Sequence, residues 1–278
     1  MDKKDLQNPA LYTNRELSWL LFNKRVLSEA RDKQLLLFER LKFLSITASN
    51  LDEFFMVRIG SLVDMIHAEY TKKDIAGMSA KEQLDALMEE THKFAALQYS
   101  TYNRMLLPQL RANGLNFVEH HEQLTARQAQ YVDEYFEENV YPVLTPMAVD
   151  SSRPFPLIRN KTLNIGALVA KKGEKDTEIE FATVQVPSVL PRVVRIPAAK
   201  EGDTEVAVLL LEEIIERNIS KLFLNYNVLC AHPFRITRNA DLAIDEDEAE
   251  DLLLEIEKQI KKRTWGQAIR LEIEAAAD

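Results

Sequence analysis

The sequence predicts a two-domain chain, with an all-α helical bundle followed by an α+β domain that has a largely antiparallel sheet. Apolar residues recur at spacings of three and four through the first 113 residues, which is typical of helices that bury one face. Asn113-Gly114 then provides a helix stop, and short β-branched segments and prolines follow. We therefore expect domains at 1–113 and 114–278, and 46% apolar residues are enough to fill two cores.

Four helices are predicted in the first domain. Thr13 and Glu16 have capping-box spacing before the first helix, and Ser79 and Glu82 have the same spacing before the fourth. A second helix carries Leu37, Leu41, Leu44 and Ala48 on one face, and a third begins near Leu51. Trp19 and the phenylalanines of this region are expected to be core residues.

The second domain is predicted to mix strands and helices. Thr125 and Gln128 begin a helix that Tyr141-Pro142 ends, because proline lacks the backbone N–H and disfavours helix before it. The β-branched segments predict strands at 163–170, 181–186, 192–196 and 227–236, with a hairpin turn at 171–175. Helices are predicted at 205–218 and 245–274. Strands joined by turns, with helices gathered around them, indicate the α+β class.

The segment 49–58 (SNLDEFFMVR) contains the main candidate binding residue, Asn50. Both Ser49 with Asp52 and Asn50 with Glu53 have capping-box spacing, so the segment predicts a helix start. The N–H groups and the dipole at such a start favour an anion. On spacing alone, a plain N-cap is the preferred explanation of Asn50, and the resemblance described next changes that preference.

Two blocks of motifs resemble the long bacterial type of polyphosphate kinase. The first consists of 15–27 (RELSWLLFNKRVL), 40–44 (RLKFL) and 49–54 (SNLDEF), and resembles the opening of that family. The second consists of 141–146 (YPVLTP), 153–156 (RPFP) and 164–166 (NIG), and resembles its head domain. The resemblance covers nearly the whole chain, in order.

The resemblance implies reversible transfer of the γ-phosphate of ATP to the end of a polyphosphate chain through a phosphohistidine. It places ATP or ADP at Asn50, the residue before Leu-Asp-Glu-Phe. It also implies Mg²⁺ arriving with ATP, and a homo-oligomer in which the head domain makes dimer contacts. The phosphorylated histidine and the main phosphate-binding arginines of the family lie in later domains, so no catalytic residue is expected in this segment.

Composition and charge limit the partners. A net charge of −9 argues against a nucleic-acid binder, and a polyphosphate partner then requires a local basic channel. Arg153, Arg235 and Arg238 are the candidate channel residues, with a solvated positive surface as the alternative. The single cysteine, and the lack of a signal-peptide core or an apolar run that would span a bilayer, favour the cytoplasm and give no sign of membrane association.

Other patterns give no separate site. The seven glycines form no phosphate-binding loop, and the five histidines form no spaced metal motif. His120 and His121 are interpreted as a solvated loop, Cys230 as a core residue, and 245–248 as an acidic helix start rather than a metal loop. The competing function is non-enzymatic: a naturally short scaffold, or a module that binds phosphorylated groups through Arg153, Arg235 and Arg238.

Overall fold

The structure is a computed structural model that describes residues 5–149, 156–173, 179–240, 266–275 and 277. It divides into two compact units. The first contains Met1–Gln109 and Thr237–Arg270, and the second contains Leu110–Ile236 and Leu271–Asp278. This division places part of the C-terminal region with the first unit, unlike the expected ranges 1–113 and 114–278. Independent folding of residues 1–113 stays a prediction.

The first unit is built mainly from helices. They are α1 (Arg15–Arg31), α2 (Leu37–Phe54), α3 (Gly60–His67), α4 (Ala80–Thr101) and the start of α5 (Leu107–Ala112), with single π-helical turns at Phe55–Ile59 and Tyr102–Leu106. Helix α1 packs against α2 and α4, and α3 packs against α4. The predicted helical bundle is thus confirmed.

The helix starts show which capping predictions hold. At α4, the Ser79 side chain accepts from the backbone N–H of Glu82, and the Glu82 carboxylate accepts from the backbone N–H of Ser79. At α1 the predicted Thr13 cap is wrong. The buried side chain of Asn14 caps instead, accepting from the backbone N–H groups of Glu16 and Leu17 at 3.0 and 2.9 Å. Its own amide also donates to Asp74 and Gln83, contacts that no local spacing reveals.

The predicted break between a second and a third helix near Leu51 is also wrong. Helix α2 runs without interruption through Asn50 to Phe54 and passes into the π-helical turn Phe55–Ile59. The helix resumes at Gly60, where an added Cβ would lie 2.2 Å from the Asn239 side chain. Polar residues with capping spacing therefore lie inside a helix here, because tertiary partners satisfy their side chains.

The core of the first unit lies between its helices. Leu20, Leu27, Leu87 and Phe94 are almost fully buried, and Trp19 stacks on Phe54 with ring centroids 4.3 Å apart. The predicted core role of Trp19 and the phenylalanines holds for these aromatic rings. It fails for Phe22 and Phe38, whose side chains are exposed.

The second unit contains two sheets. The strands are β1 (Leu115–Phe117), β2 (Pro146–Val149), β3 (Leu163–Lys171), β4 (Ile179–Gln185), β5 (Val193–Ile196), β6 (Val206–Leu210), β7 (Tyr226–Arg238) and β8 (Ala268–Ile273), the last two of which run across the division between units. One sheet has the order β2-β4-β3-β7-β8, in which β3 pairs antiparallel with both β4 and β7. The other has the order β1-β6-β5, with β1 parallel to β6. The predicted α+β class is confirmed, and β3 and β4 form the expected hairpin.

Two predicted helices need correction. The range 205–218 begins with strand β6, and only Leu211–Arg217 forms a helix, α7. The strand consists of Val206, Ala207, Val208 and two leucines, and its pairing with β1 and β5 outweighs the helical spacing. The range 245–274 ends in strand β8 rather than in helix. Residues 245–265 of that range, including the acidic segment 245–248, lie outside the described residues.

Helices and sheets of the second unit share one core. Helix α6 (Ala126–Tyr135) begins with the predicted capping box of Thr125 and Gln128, and continues as a π-helical turn, Phe136–Val140, to Tyr141-Pro142. Phe136, Ile165, Val184, Leu209 and Ile214 are fully buried together. Gly114 follows α5 with φ of +79°, as the predicted helix stop requires. Cys230 is half-buried and is not a core residue.

Candidate functional site

Asn50 lies in the last turns of α2 and joins that helix to α1. Its Nδ2 donates to Oδ1 of Asn23 at 3.1 Å, and Asn23 Nδ2 donates to the backbone carbonyl of Thr47 at 3.1 Å. The Thr47 hydroxyl accepts from Gln98 of α4 at 2.9 Å. Asn23 and Thr47 are fully buried, whereas Asn50 is half-buried. The predicted position of Asn50 at a helix start is therefore wrong.

The neighbouring carboxylate, Asp52, is buried and faces a cation. Arg270 Nη1 lies 3.4 Å from Asp52 Oδ1, and the Arg270 guanidinium lies over the ring of Phe55, 4.8 Å from its centroid. Because a buried carboxylate needs a charged or hydrogen-bonding partner, Arg270 accounts for this side chain in structural terms. Phe55 begins the π-helical turn that follows Asn50, a feature that often occurs at functional sites.

No cluster among the described residues contains all three candidate channel arginines. Arg235 makes an ion pair with Glu272, with Nε 2.8 Å from Oε2. Arg238 donates from Nη1 to the carbonyl of Gly266 at 2.8 Å. Arg153 lies outside the described residues. Whether any of them binds phosphate stays a prediction.

A cleft in the second unit collects basic residues that the sequence reasoning missed. It has a volume of about 350 Å³, and its lining includes Arg127, Arg195 and Lys200 together with Asp203 and Glu205. Arg127 precedes the buried Gln128 on α6, and Arg195 lies on β5. Arg127 lies far before Arg195 and Lys200 in the sequence, so local patterns do not reveal that it shares a cleft with them.

Histidines and glutamates also meet in the second unit. His121 donates its backbone N–H to Glu213 Oε2 at 2.9 Å, and its Nδ1 lies 3.3 Å from the same oxygen. His232 Nδ1 lies 2.9 Å from Glu274 Oε2. The solvated-loop interpretation suits the exposed His120 but is wrong for His121, whose side chain is only 20% exposed.

Burial and like charge alter the titration of this cluster. Burial, and then the negative charges of Glu213 and Glu274, raise the pKa of Glu216 to about 8. Burial also raises the pKa of Glu213, although the hydrogen bonds from His121 oppose that effect. The cluster thus gathers several carboxyl groups where water is partly excluded, and Glu216 keeps its proton at neutral pH.

Comparison with known proteins identifies the family. The polyphosphate kinase N-terminal domain matches residues 12–118, and the polyphosphate kinase middle domain matches residues 127–278. The chain belongs to the polyphosphate kinase family. This result confirms the resemblance of the two motif blocks, in the order in which the sequence carries them.

The similar proteins include bacterial polyphosphate kinases. The chain is 49% identical to polyphosphate kinase of Halalkalibacterium halodurans over 97% of its own length and 38% of that protein. It is 46% identical to polyphosphate kinase of Bacillus anthracis, again over 97% of the chain and 38% of the relative. The crystal structure of polyphosphate kinase from Porphyromonas gingivalis matches with a TM-score of 0.72 and 28% identity, over 91% of this chain and 38% of that one. The chain thus spans somewhat more than a third of the length of these relatives and matches the N-terminal and middle domains.

The family match bears on domain content rather than on individual residues. It accounts for a helical unit followed by an α+β unit, and it does not favour the alternative of a naturally short, non-enzymatic scaffold or a module that binds phosphorylated groups. The role of Asn50 in ATP binding stays a prediction. No helix within the described residues combines the length and the apolar character needed to cross a membrane.

Proposed function

We propose that this chain is the N-terminal part of a polyphosphate kinase that reversibly transfers the γ-phosphate of ATP to the end of a polyphosphate chain. The observation that supports this proposal is the ordered match of two consecutive polyphosphate kinase domains over 12–118 and 127–278. The resemblance implies that the phosphorylated histidine and the principal phosphate-binding arginines belong to later domains. In this proposal the present chain contributes substrate positioning and scaffold, and no catalytic residue.

The contribution of the first unit is a contact with ATP or ADP through Asn50. Phosphoryl transfer depends mainly on positioning and on neutralising charge, so a fixed amide on the nucleotide side is useful. The bond to Asn23 uses one N–H of the Asn50 amide, and an amide carries a second N–H and an acceptor oxygen. Asn23 thereby fixes the side-chain direction while the half-buried position remains accessible to a ligand.

The second unit in this proposal shapes a path for polyphosphate. Arg235 and Arg238 take part only by exchanging Glu272 and the Gly266 carbonyl for phosphate oxygens. An arginine guanidinium suits such an exchange, since it remains charged and offers several donors. Mg²⁺ enters with ATP and needs no dedicated ligands in this segment. The proposal also includes assembly of the protein into a homo-oligomer and its location in the cytoplasm.

The activity test uses the purified chain with ATP, Mg²⁺ and a polyphosphate primer. We expect no sustained ADP formation above a buffer control, because the segment is proposed to lack the nucleophile. A longer protein, in which the remaining family domains follow this segment, should form polyphosphate under the same conditions. Sustained turnover by the chain alone, surviving repurification, would contradict the division of roles. An inactive longer protein that is folded would contradict the proposed function itself.

The nucleotide contact is tested in the longer protein with a matched pair of substitutions. Asn50→Ala removes the amide, whereas Asn23→Ala breaks the same hydrogen bond and leaves the Asn50 amide present. We expect Asn50→Ala to raise the Michaelis constant for ATP at least several-fold more than Asn23→Ala does. Equal effects of the two substitutions would show that only helix packing matters, and the ATP contact would be rejected.

A further inference from the structure

Six side chains from four separate stretches converge in the second unit. Helix α7 contributes Glu213 and Glu216, strand β7 contributes His232, and Glu274 follows directly after β8. His120 and His121 come from the turn before α6. Ligand atoms of Glu216, His232 and Glu274 all lie within 4.8 Å of one another, and a second set, His120, Glu213 and Glu274, meets the same limit.

We propose that Glu216, His232 and Glu274 bind one divalent transition-metal ion, with Zn²⁺ as the best match. Imidazole nitrogen combined with carboxylate oxygen is a donor set that suits zinc, whereas Mg²⁺ prefers oxygen ligands and retains most of its water. The proposed site is separate from the Mg²⁺ that accompanies ATP, and it does not depend on the proposed activity.

The spacing of the three ligands is close to what zinc requires. Zinc–nitrogen and zinc–oxygen bonds are about 2.0–2.2 Å and the usual geometry is tetrahedral, so two ligand atoms of one ion lie about 3.5 Å apart. Ligand atoms within 4.8 Å of one another therefore need to approach by at most about 1.3 Å. Side-chain torsions alone provide such a movement.

Surrounding contacts hold the ligands in place. The backbone N–H of Glu274 donates to the carbonyl of Pro233 at 3.3 Å, so Glu274 stays next to His232. On α7, the backbone N–H of His121 fixes Glu213 one helical turn before Glu216. Metal ligands are commonly held by such outer contacts, which reduce the cost of ordering them when the ion arrives.

Burial favours this set over the second one. Glu216, His232 and Glu274 are all half-buried, whereas His120 of the alternative set is exposed. Two carboxylates and the nearby Glu213 bring like charges together in a partly buried place, which a dication would neutralise. The ion would connect α7, β7 and the residues after β8, with its fourth coordination position left for water.

The test is a titration of the whole chain without a polyhistidine tag, after EDTA treatment and dialysis. Isothermal titration calorimetry with Zn²⁺ should give one site per chain, and Mg²⁺ at the same concentrations should give no heat of binding. His232→Ala and the isosteric Glu216→Gln should each weaken zinc affinity by at least tenfold. His92→Ala, an exposed histidine on α4, is the matched control and should leave the affinity unchanged. His120→Ala should also retain binding.

A second readout keeps the result interpretable. Zinc should raise the melting temperature of the wild-type chain and of His92→Ala, but not that of Glu216→Gln, and circular dichroism shows whether each variant is folded. Absence of zinc binding by the folded wild type would overturn the proposal. So would equal affinity in wild type and Glu216→Gln, or loss of binding only in His120→Ala, which would place the ion in the other set.

Discussion

Replacing Asn50 by Asp tests the hydrogen bond that joins α1 to α2. In the wild type, Asn50 Nδ2 donates to Asn23 Oδ1 at 3.1 Å, and Asn23 is fully buried. Asp offers no N–H, so a carboxylate oxygen would face the amide oxygen of Asn23. Rotating the Asn23 amide does not solve this, because its Nδ2 already donates to the Thr47 carbonyl and the rotated oxygen would face that carbonyl.

The cost follows from leaving a buried acceptor without its donor. Such a loss costs about 1–3 kcal/mol, and the half-buried position of Asn50 lets water compensate in part. We therefore expect Asn50→Asp to lower the free energy of unfolding by about 1–2 kcal/mol. For a domain of this size that corresponds to a melting temperature lower by about 2–8 °C.

Urea denaturation followed by circular dichroism, with the slope of the transition checked, measures the change. Ser49→Ala is the control, since Ser49 is an exposed neighbour on the same helix and should change stability by less than about 0.5 kcal/mol. In a double-mutant cycle, Asn23→Ala and Asn50→Ala together should lower the free energy of unfolding by less than the sum of the two single effects. If Asn50→Asp is as stable as the wild type, the hydrogen bond between Asn50 and Asn23 contributes nothing to stability and the reasoning is refuted.

Three further outcomes are expected. With EDTA present, Glu216→Gln should match the wild type near pH 4 and be more stable by roughly 1–2 kcal/mol above pH 8, after allowance for solvent screening. Burial, and then the charges of Glu213, Glu274, Glu122 and Glu212, raise the pKa of Glu216 to about 8, so the wild type loses stability as the pH rises from the unfolded pKa near 4.5 through 8. A constant difference in thermal melts across this range would contradict the assignment. Gly114→Ala should destabilise by about 1 kcal/mol in urea denaturation, since φ is +79° and no atom lies near enough to compensate, and an unchanged midpoint would count against the strain. Residues 1–113 expressed alone should give a helical circular-dichroism spectrum and unfold cooperatively. Their stability should be lower than in the whole chain, because Arg270 no longer covers Phe55. A non-cooperative transition would reject independent folding.

Local patterns were reliable where neighbours in sequence are also the physical partners. The capping boxes of Ser79 with Glu82 and of Thr125 with Gln128 form as predicted, since each closes within one helical turn. The segments rich in β-branched residues at β3 and β7 likewise predicted strands, because such side chains pack well on a pleated surface.

The same reasoning failed at Asn50 because capping spacing does not show whether the chain continues as helix. Asn23, 27 residues earlier, accepts from the Asn50 amide, and Arg270, far later, faces Asp52. With both side chains satisfied by these distant partners, α2 continues through a segment whose composition suggests a start. Strand β1 is another element that local patterns do not predict, because so short a strand forms only through its parallel pairing with β6.

Patterns along the chain were enough to predict the family, the two classes of domain, most helices and the strands β3, β4, β5 and β7, since these depend on periodicity, turns and motifs. Contacts between distant residues, which appear only in the folded chain, settle what Asn50 contacts, which partners Arg235 and Arg238 have, and that His232, Glu216 and Glu274 meet. Such contacts join residues tens of positions apart, and no local pattern encodes them. The chemistry of a site depends on distances in space, which the fold sets after the local elements have formed.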